Sequence, residues 1–171
     1  MTPLRANFLM LARYGEWATR RLFEHVDVLH DREYRDDAGL FFRSVHGTLN
    51  HLLVAEHALW FARFAEGASP VLRLDDELEH DRTTLRARLL DAAAAWTPLI
   101  ASWPDARFDG ELAYRTMKGV DQRLPFAATL THVFNHGTHH RGQITAAITR
   151  LGHPAPELDL VWMLQHESRA R

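Results

Sequence analysis

Along most of the chain, hydrophobic residues recur at the three-and-four spacing of helices rather than the alternation of strands. Leu4, Phe8, Leu11, Ala18, Leu22, Val26 and Leu29 mark out a long first helix. Thr2 supplies a capping hydroxyl for it and Pro3 the favoured first helical position. Ser44 suits the cap of a second helix running to about Phe64, ended by Gly67 and Pro70, with Val45, Leu49, Leu52, Leu59 and Trp60 on one broad arc. A third pattern runs from Asp75 to about Ser102. Leu78, Leu85, Leu89, Ala92, Trp96, Leu99 and Trp103 lie on its apolar face, and Trp103-Pro104 closes it. Asp75, Asp76, Glu77 and Glu79 then fall in its first turn, where the helix dipole favours negative charge. Pro125 opens a fourth helix that runs to Leu151 and stops at Gly152, with Phe126, Val133, Ile144, Ile148 and Leu151 buried.

The connections are short. Asp31–Asp37 reads as a charged link with room for one helical turn. Phe108–Leu124 changes character: Leu112–Met117 suits a short extended segment and Lys118–Asp121 a turn, a candidate lid or pocket edge before the fourth helix. Asp159 is placed to cap a short helix from Leu160 to about His166, with Trp162 and Leu164 packing back. The pattern predicts an all-α protein: a four-helix bundle in a single domain over residues 1–171, with a short C-terminal helix and an irregular or short extended segment between helices 3 and 4.

Composition narrows the chemistry. The net charge of −2 and the lack of a basic tract argue against nucleic acid as the partner. No apolar run approaches the roughly 18–20 residues of a membrane span, and the first residues lack the apolar core of a signal peptide, so a cytoplasmic protein is expected. Cysteine is absent. A transition-metal site would therefore have to use His, Asp or Glu, and a thiol nucleophile would have to come from outside the chain.

Twelve histidines remain, four of them between His132 and His140. On a helix His136 and His140 stand one turn apart on one face, inside or at the edge of the buried arc, a spacing that lets two imidazoles share a metal. His51 flanks the buried arc of the second helix among the small residues Thr48, Ala55, Ala58 and Ala62, which leave room for an ion. His51, His136 and His140 form the expected metal triad. Glu56 falls inside an apolar arc, where a bare charge is costly. Arg141 falls on the buried side of its own helix, so a Glu56–Arg141 pair fixing the two ligand helices in register is expected. His57 is assigned to the far side of its helix from His51, and His25, His30, His80, His153 and His166 to the surface. His46, His132 and His139 are left as pocket or packing residues.

Ser44–Glu56 (SVHGTLNHLLVAE) and Asn135–Gln143 (NHGTHHRGQ), with Gly152-His153-Pro154 and Leu158-Asp159-Leu160 behind them, resemble the DinB/YfiT-like family of metalloenzymes over nearly the whole chain. The resemblance implies a four-helix bundle, often homodimeric, with a divalent metal on three histidines that match His51, His136 and His140. Glu56 matches a position where many relatives carry Asp. Glu56, Arg141, His132 and Gln143 are the remaining candidates around the metal or its pocket. For the ion, Zn or Ni come first, with Fe, Mn or Cu also compatible with imidazole ligands.

Relatives in that family include S-transferases and an isomerase that use low-molecular-weight thiols, which implies a small thiol and an electrophile as partners, with neither nucleic acid nor membrane. A metal with an open position can hold a thiol as thiolate or activate water. The expected activity is thus metal-dependent S-transfer, with the electrophile near the connection between helices 3 and 4. The alternatives are a metal-dependent hydrolase, for which Glu56 is the nearby carboxylate, and a non-catalytic metal-binding dimer of the stress response.

Overall fold

The structure, a computed structural model, describes residues 1–169; the last two positions of the expected 1–171 domain lie outside the described residues. Helix α1 spans Pro3–Val26, and the Thr2 hydroxyl accepts the Arg5 N–H. A single helical turn, α2 (Asp31–Arg35), occupies the charged link. The second long helix starts after Ser44, whose hydroxyl accepts the Gly47 N–H at 2.9 Å. It ends at Gly67 in the left-handed region at φ 68°, a conformation that costs glycine least. It is not α-helical throughout. Segment α3 (Val45–Leu52) gives way to a π-helix over Leu53–Phe61, and α-helix resumes as α4 (Ala62–Glu66). Along the π-helix Ala55 and Glu56 are buried, and the His57 side chain, 9% exposed, lies beside Glu56.

The third long helix, α5, spans Arg82–Ser102, a later start than the expected Asp75. Asp81 wins the cap position because its carboxylate accepts both the Thr84 N–H and hydroxyl at 2.7 Å. Residues 67–81 are instead a loop. Asp75, Asp76, Glu77 and Glu79 therefore complement no helix dipole, and Leu78 reaches the core from the loop. After a 3-10 turn (Asp105–Asp109), β1 (Glu111–Arg115) pairs antiparallel with β2 (Asp121–Pro125), Glu111 opposite Pro125 and Arg115 opposite Asp121. Leu112 is the buried side chain of this hairpin. Helix α6 (Phe126–Arg150) and the short α7 (Leu160–Arg169) complete the chain.

These helices form a four-helix bundle with a small appended hairpin, its core in three groups. One joins Leu22, Phe23 and Val26 of α1 to Leu49 of α3, Leu85 of α5 and Ile144 and Ile148 of α6. The second is aromatic, with Phe8, Phe64, Trp96, Phe108 and Phe126 meeting at the hairpin end. In the third, Met163 of α7 packs on Tyr14 and Ala18 in place of the expected Trp162 and Leu164, which are exposed, and the Tyr14 hydroxyl donates to the Leu158 carbonyl at 2.7 Å. No helix among the described residues is long and apolar enough to cross a membrane. Between the two main groups, α3 and the π-helix face α6, and there the polar side chains gather.

Candidate metal centre

His51 on α3 and His136 and His140 on α6 come together with their Nε2 atoms facing one another: His136 Nε2 lies 3.2 Å from that of His51 and 3.1 Å from that of His140. Two imidazole nitrogens bound to one tetrahedral ion sit about 3.3 Å apart, so the spacing already matches a shared ligand sphere. Each ring's other nitrogen has an oxygen acceptor. His51 Nδ1 donates to the Leu74 carbonyl at 2.8 Å, His140 Nδ1 to Gln143 Oε1 at 2.8 Å, and His136 Nδ1 to Glu56 Oε1 at 3.4 Å. With the proton held on Nδ1, every Nε2 turns a lone pair inward. Three lone pairs crowded at 3 Å repel unless a cation lies between them. The donor set therefore fits a divalent metal, and these three residues form the His/Cys/Asp/Glu cluster with metal-ligand spacing among those described.

Electrostatics agree. Burial, reinforced by the neighbouring His136, lowers the pKa of His140 to about 4, and burial likewise lowers that of His51. Both rings would then meet a metal in their neutral form at physiological pH, with no proton to displace. Burial alone would raise the Glu56 carboxyl. Its bond to His136 and the nearby Arg141 and His57 outweigh that and hold it below the ordinary value, an anion behind the ligand.

The fold fixes these positions from several sides. Gly137 lets the π-helix approach α6: a Cβ there would lie 2.5 Å from Glu56 Oε1 and 2.9 Å from Arg141 Nη1. Phe42 stacks on the His51 ring at 3.7 Å and lies 5.7 Å from that of His140. It is delivered by a tight turn in which Arg43 adopts φ 69° and the Phe42 carbonyl packs where a Cβ on Gly47 would sit. The loop that offers the Leu74 carbonyl is fastened by Asn50, whose amide bonds the N–H and C=O of Glu79 at 3.0 Å each, and by His46, which bonds Glu77 and the Tyr34 hydroxyl.

A search of family models places residues 4–170 on the one described as the DinB family. The chain belongs to the DinB family. Protein DinB of Bacillus subtilis (strain 168) is 22% identical over 153 residues, 87% of this chain and 88% of that protein. Among solved structures, YfiT from Bacillus subtilis, described as a probable metal-dependent hydrolase with an unusual four-helix bundle topology, is similar with a TM-score of 0.69. That likeness covers 90% of this chain and 91% of YfiT at 18% identity, and it concerns the fold.

In this DinB-family chain the other expected residues divide. Gln143 and Glu56 touch ligand rings. His132 stands beside the triad, its ring 5.7 Å from His136 and 5.4 Å from Trp60, which in turn meets Tyr114 of the hairpin. The direct Glu56–Arg141 pair is not made. Arg141 is buried and lines the same small void as Glu56 beside Gly137, but the ion-pair neighbours of the carboxylate are His57 at 3.9 Å and His136 at 3.4 Å. Phe42, Asn50, Glu77 and the Leu74 carbonyl escaped the sequence reading. A backbone acceptor carries no side-chain signal, and Asn50 beside a ligand looks like any helical polar residue.

Proposed function

We propose that this protein is a metal-dependent S-transferase that takes a low-molecular-weight thiol as cosubstrate. His51, His136 and His140 would hold a divalent ion, Zn or Ni foremost, and that ion would supply Lewis acidity favouring the thiolate form of a thiol near neutral pH. The observation that carries this reading is where Glu56 points. Its carboxylate is bonded to the back of His136 rather than placed beside the inward-facing nitrogens, so among the described residues no carboxylate takes the place that the general base of an HExxH hydrolase holds beside its metal. A thiol needs no such base. In the transfer a sulfur–carbon bond forms, the leaving group departs with its electron pair, and the thiol proton goes to solvent.

The chain's own residues supply the rest. Leu74, Gln143 and Glu56 orient the three rings, and Phe42 shields one flank of the triad from water. A cavity of about 700 Å³ lies beside that flank, walled by Phe42, Leu74, Arg35, Arg43, His46 and Glu77. It offers the substrates an apolar wall next to charged groups. The dimer belongs to the same proposal, with Val161, Trp162 and Leu164 of α7 as exposed apolar residues open to a partner copy. YfiT's description favours the second reading, metal-dependent hydrolysis. Cobalt-loaded protein separates the two: a sulfur-to-cobalt charge-transfer band on adding thiols, with transfer to an activated aryl halide, supports S-transfer. Ester or amide hydrolysis with no thiol band would overturn it in favour of the hydrolase.

A further inference from the structure

Behind the triad lies a buried polar chamber that this activity leaves unused. Glu56, His57 and Arg141 meet there, walled by Ala12, Thr19 and Trp96 among others. Arg141 is 4% exposed, and the side chains of Glu56 and His57 are each 9% exposed. Two of their polar atoms, Arg141 Nε and His57 Nδ1, are fully enclosed and have no hydrogen-bond partner. An unsatisfied buried donor or acceptor costs about 1–3 kcal/mol, so two in one chamber call for an explanation. The same residues bound a void of about 10 Å³, close to the smallest room in which the centre of one water molecule fits.

We propose that the chamber holds one internal water, and that Arg141 and His57 act through it as positioning residues for Glu56 and, through Glu56, for His136. The hydrogen bonds close. The Arg141 Nε–H donates to the water, and the water donates to His57 Nδ1. Its second proton goes to the Glu56 carboxylate, leaving His57 Nε2–H turned toward Glu56 Oε2, 3.9 Å away. Three partners are the usual number for a buried water. A chloride in its place would face the carboxylate. The water thus replaces the direct Glu56–Arg141 contact and holds Glu56 against His136 Nδ1. Gly137 gives the arrangement its room, since the carboxylate and the guanidinium both fill the space that a Cβ there would need. The positioning part rests on the metal reading above; the water does not.

Two measurements decide it. In a crystal of the metal-free full-length protein, at a resolution that shows ordered water, one density peak should lie within hydrogen-bond distance of Arg141 Nε and His57 Nδ1; an empty void overturns the proposal. Competition titrations should show His57→Phe and Arg141→Met each binding Co²⁺ about 10- to 100-fold more weakly, the usual cost of losing a partner behind a ligand. The double variant should lose little more than the worse single one. Arg141→Lys should recover part of the loss, because it restores a donor; Met fills the space as well and would suffice if bulk alone mattered. Unchanged Co²⁺ affinity in folded His57→Phe protein overturns the positioning role. A wild-type protein that binds no transition metal sinks the proposed function and the positioning role with it, yet leaves the density test of the water standing.

Discussion

Asn50 has no contact with the proposed metal position, yet its replacement should weaken metal binding. The side chain is 2% exposed and holds Glu79 of the 67–81 loop by two bonds, its Nδ2 donating to the Glu79 carbonyl and its Oδ1 accepting the Glu79 N–H. Five residues before Glu79, the Leu74 carbonyl accepts the His51 Nδ1 proton at 2.8 Å. In Asn50→Ala both loop bonds are lost. Solvent reaches this loop, so each should cost near the middle of the usual range, about 1 kcal/mol, and about 2 kcal/mol together. For a chain of this size that lowers Tm by roughly 4–8 °C. Once unfastened, the loop no longer holds the Leu74 carbonyl against His51, and affinity for Zn²⁺ or Co²⁺ should fall about 10- to 100-fold. Chromophoric-chelator competition measures the affinity and urea unfolding of the metal-free protein measures the stability. A variant that unfolds earlier but binds metal like wild type would refute the claim that the loop orients His51. One with unchanged stability would refute the anchoring itself.

Four further outcomes follow from the same geometry. Zinc at about a hundred times its dissociation constant should stabilise the fold by about 2.7 kcal/mol, or roughly 5–11 °C in Tm; in His136→Ala most of that shift should vanish, and an equal shift would place the ion elsewhere. Gly137→Ala pushes a methyl group to 2.5 Å from Glu56 Oε1 and should cost about 1–3 kcal/mol by urea unfolding; a neutral result would mean that the π-helix yields freely. In the metal-free protein, burial lowers the pKa of both His57 and His140 to about 4, against about 6.5 unfolded. The folded state then binds fewer protons than the unfolded chain. Stability should be complete above about pH 6.5 and decline as pH falls to about 4, these two rings contributing on the order of 3 kcal/mol each; His57→Phe should remove its own share, and an unaltered slope contradicts the burial of His57. Finally, Arg63 lies 4.4 Å from the centres of both the Trp60 and Tyr114 rings, so Arg63→Met should cost about 1–2 kcal/mol and speed amide exchange in β1; unchanged exchange would show that this clamp does not hold the hairpin.

What could be read from the sequence divides along a physical line. Thr2, Ser44, Gly67 and Pro125 act within a turn of themselves, and the helix ends they imply are found within a residue or two. The start of α5 could not be read that way, because acidic residues suit a first turn and a loop equally well. Only the contacts of Glu77 with His46 and of Glu79 with Asn50 tell Asp75 from Asp81 as the boundary. The π-helix has no local code, and it decides which histidines could be assigned. His51 precedes it on α3, and His136 and His140 lie on the regular α6, so counting about 100° per residue brings all three to one point. His57 lies inside the π segment, where each turn takes up an extra residue, and the count gives no sign that its side chain is buried beside Glu56. The polar chamber could not be read for the same reason: the π segment that carries Glu56 behind His136 carries His57 beside it.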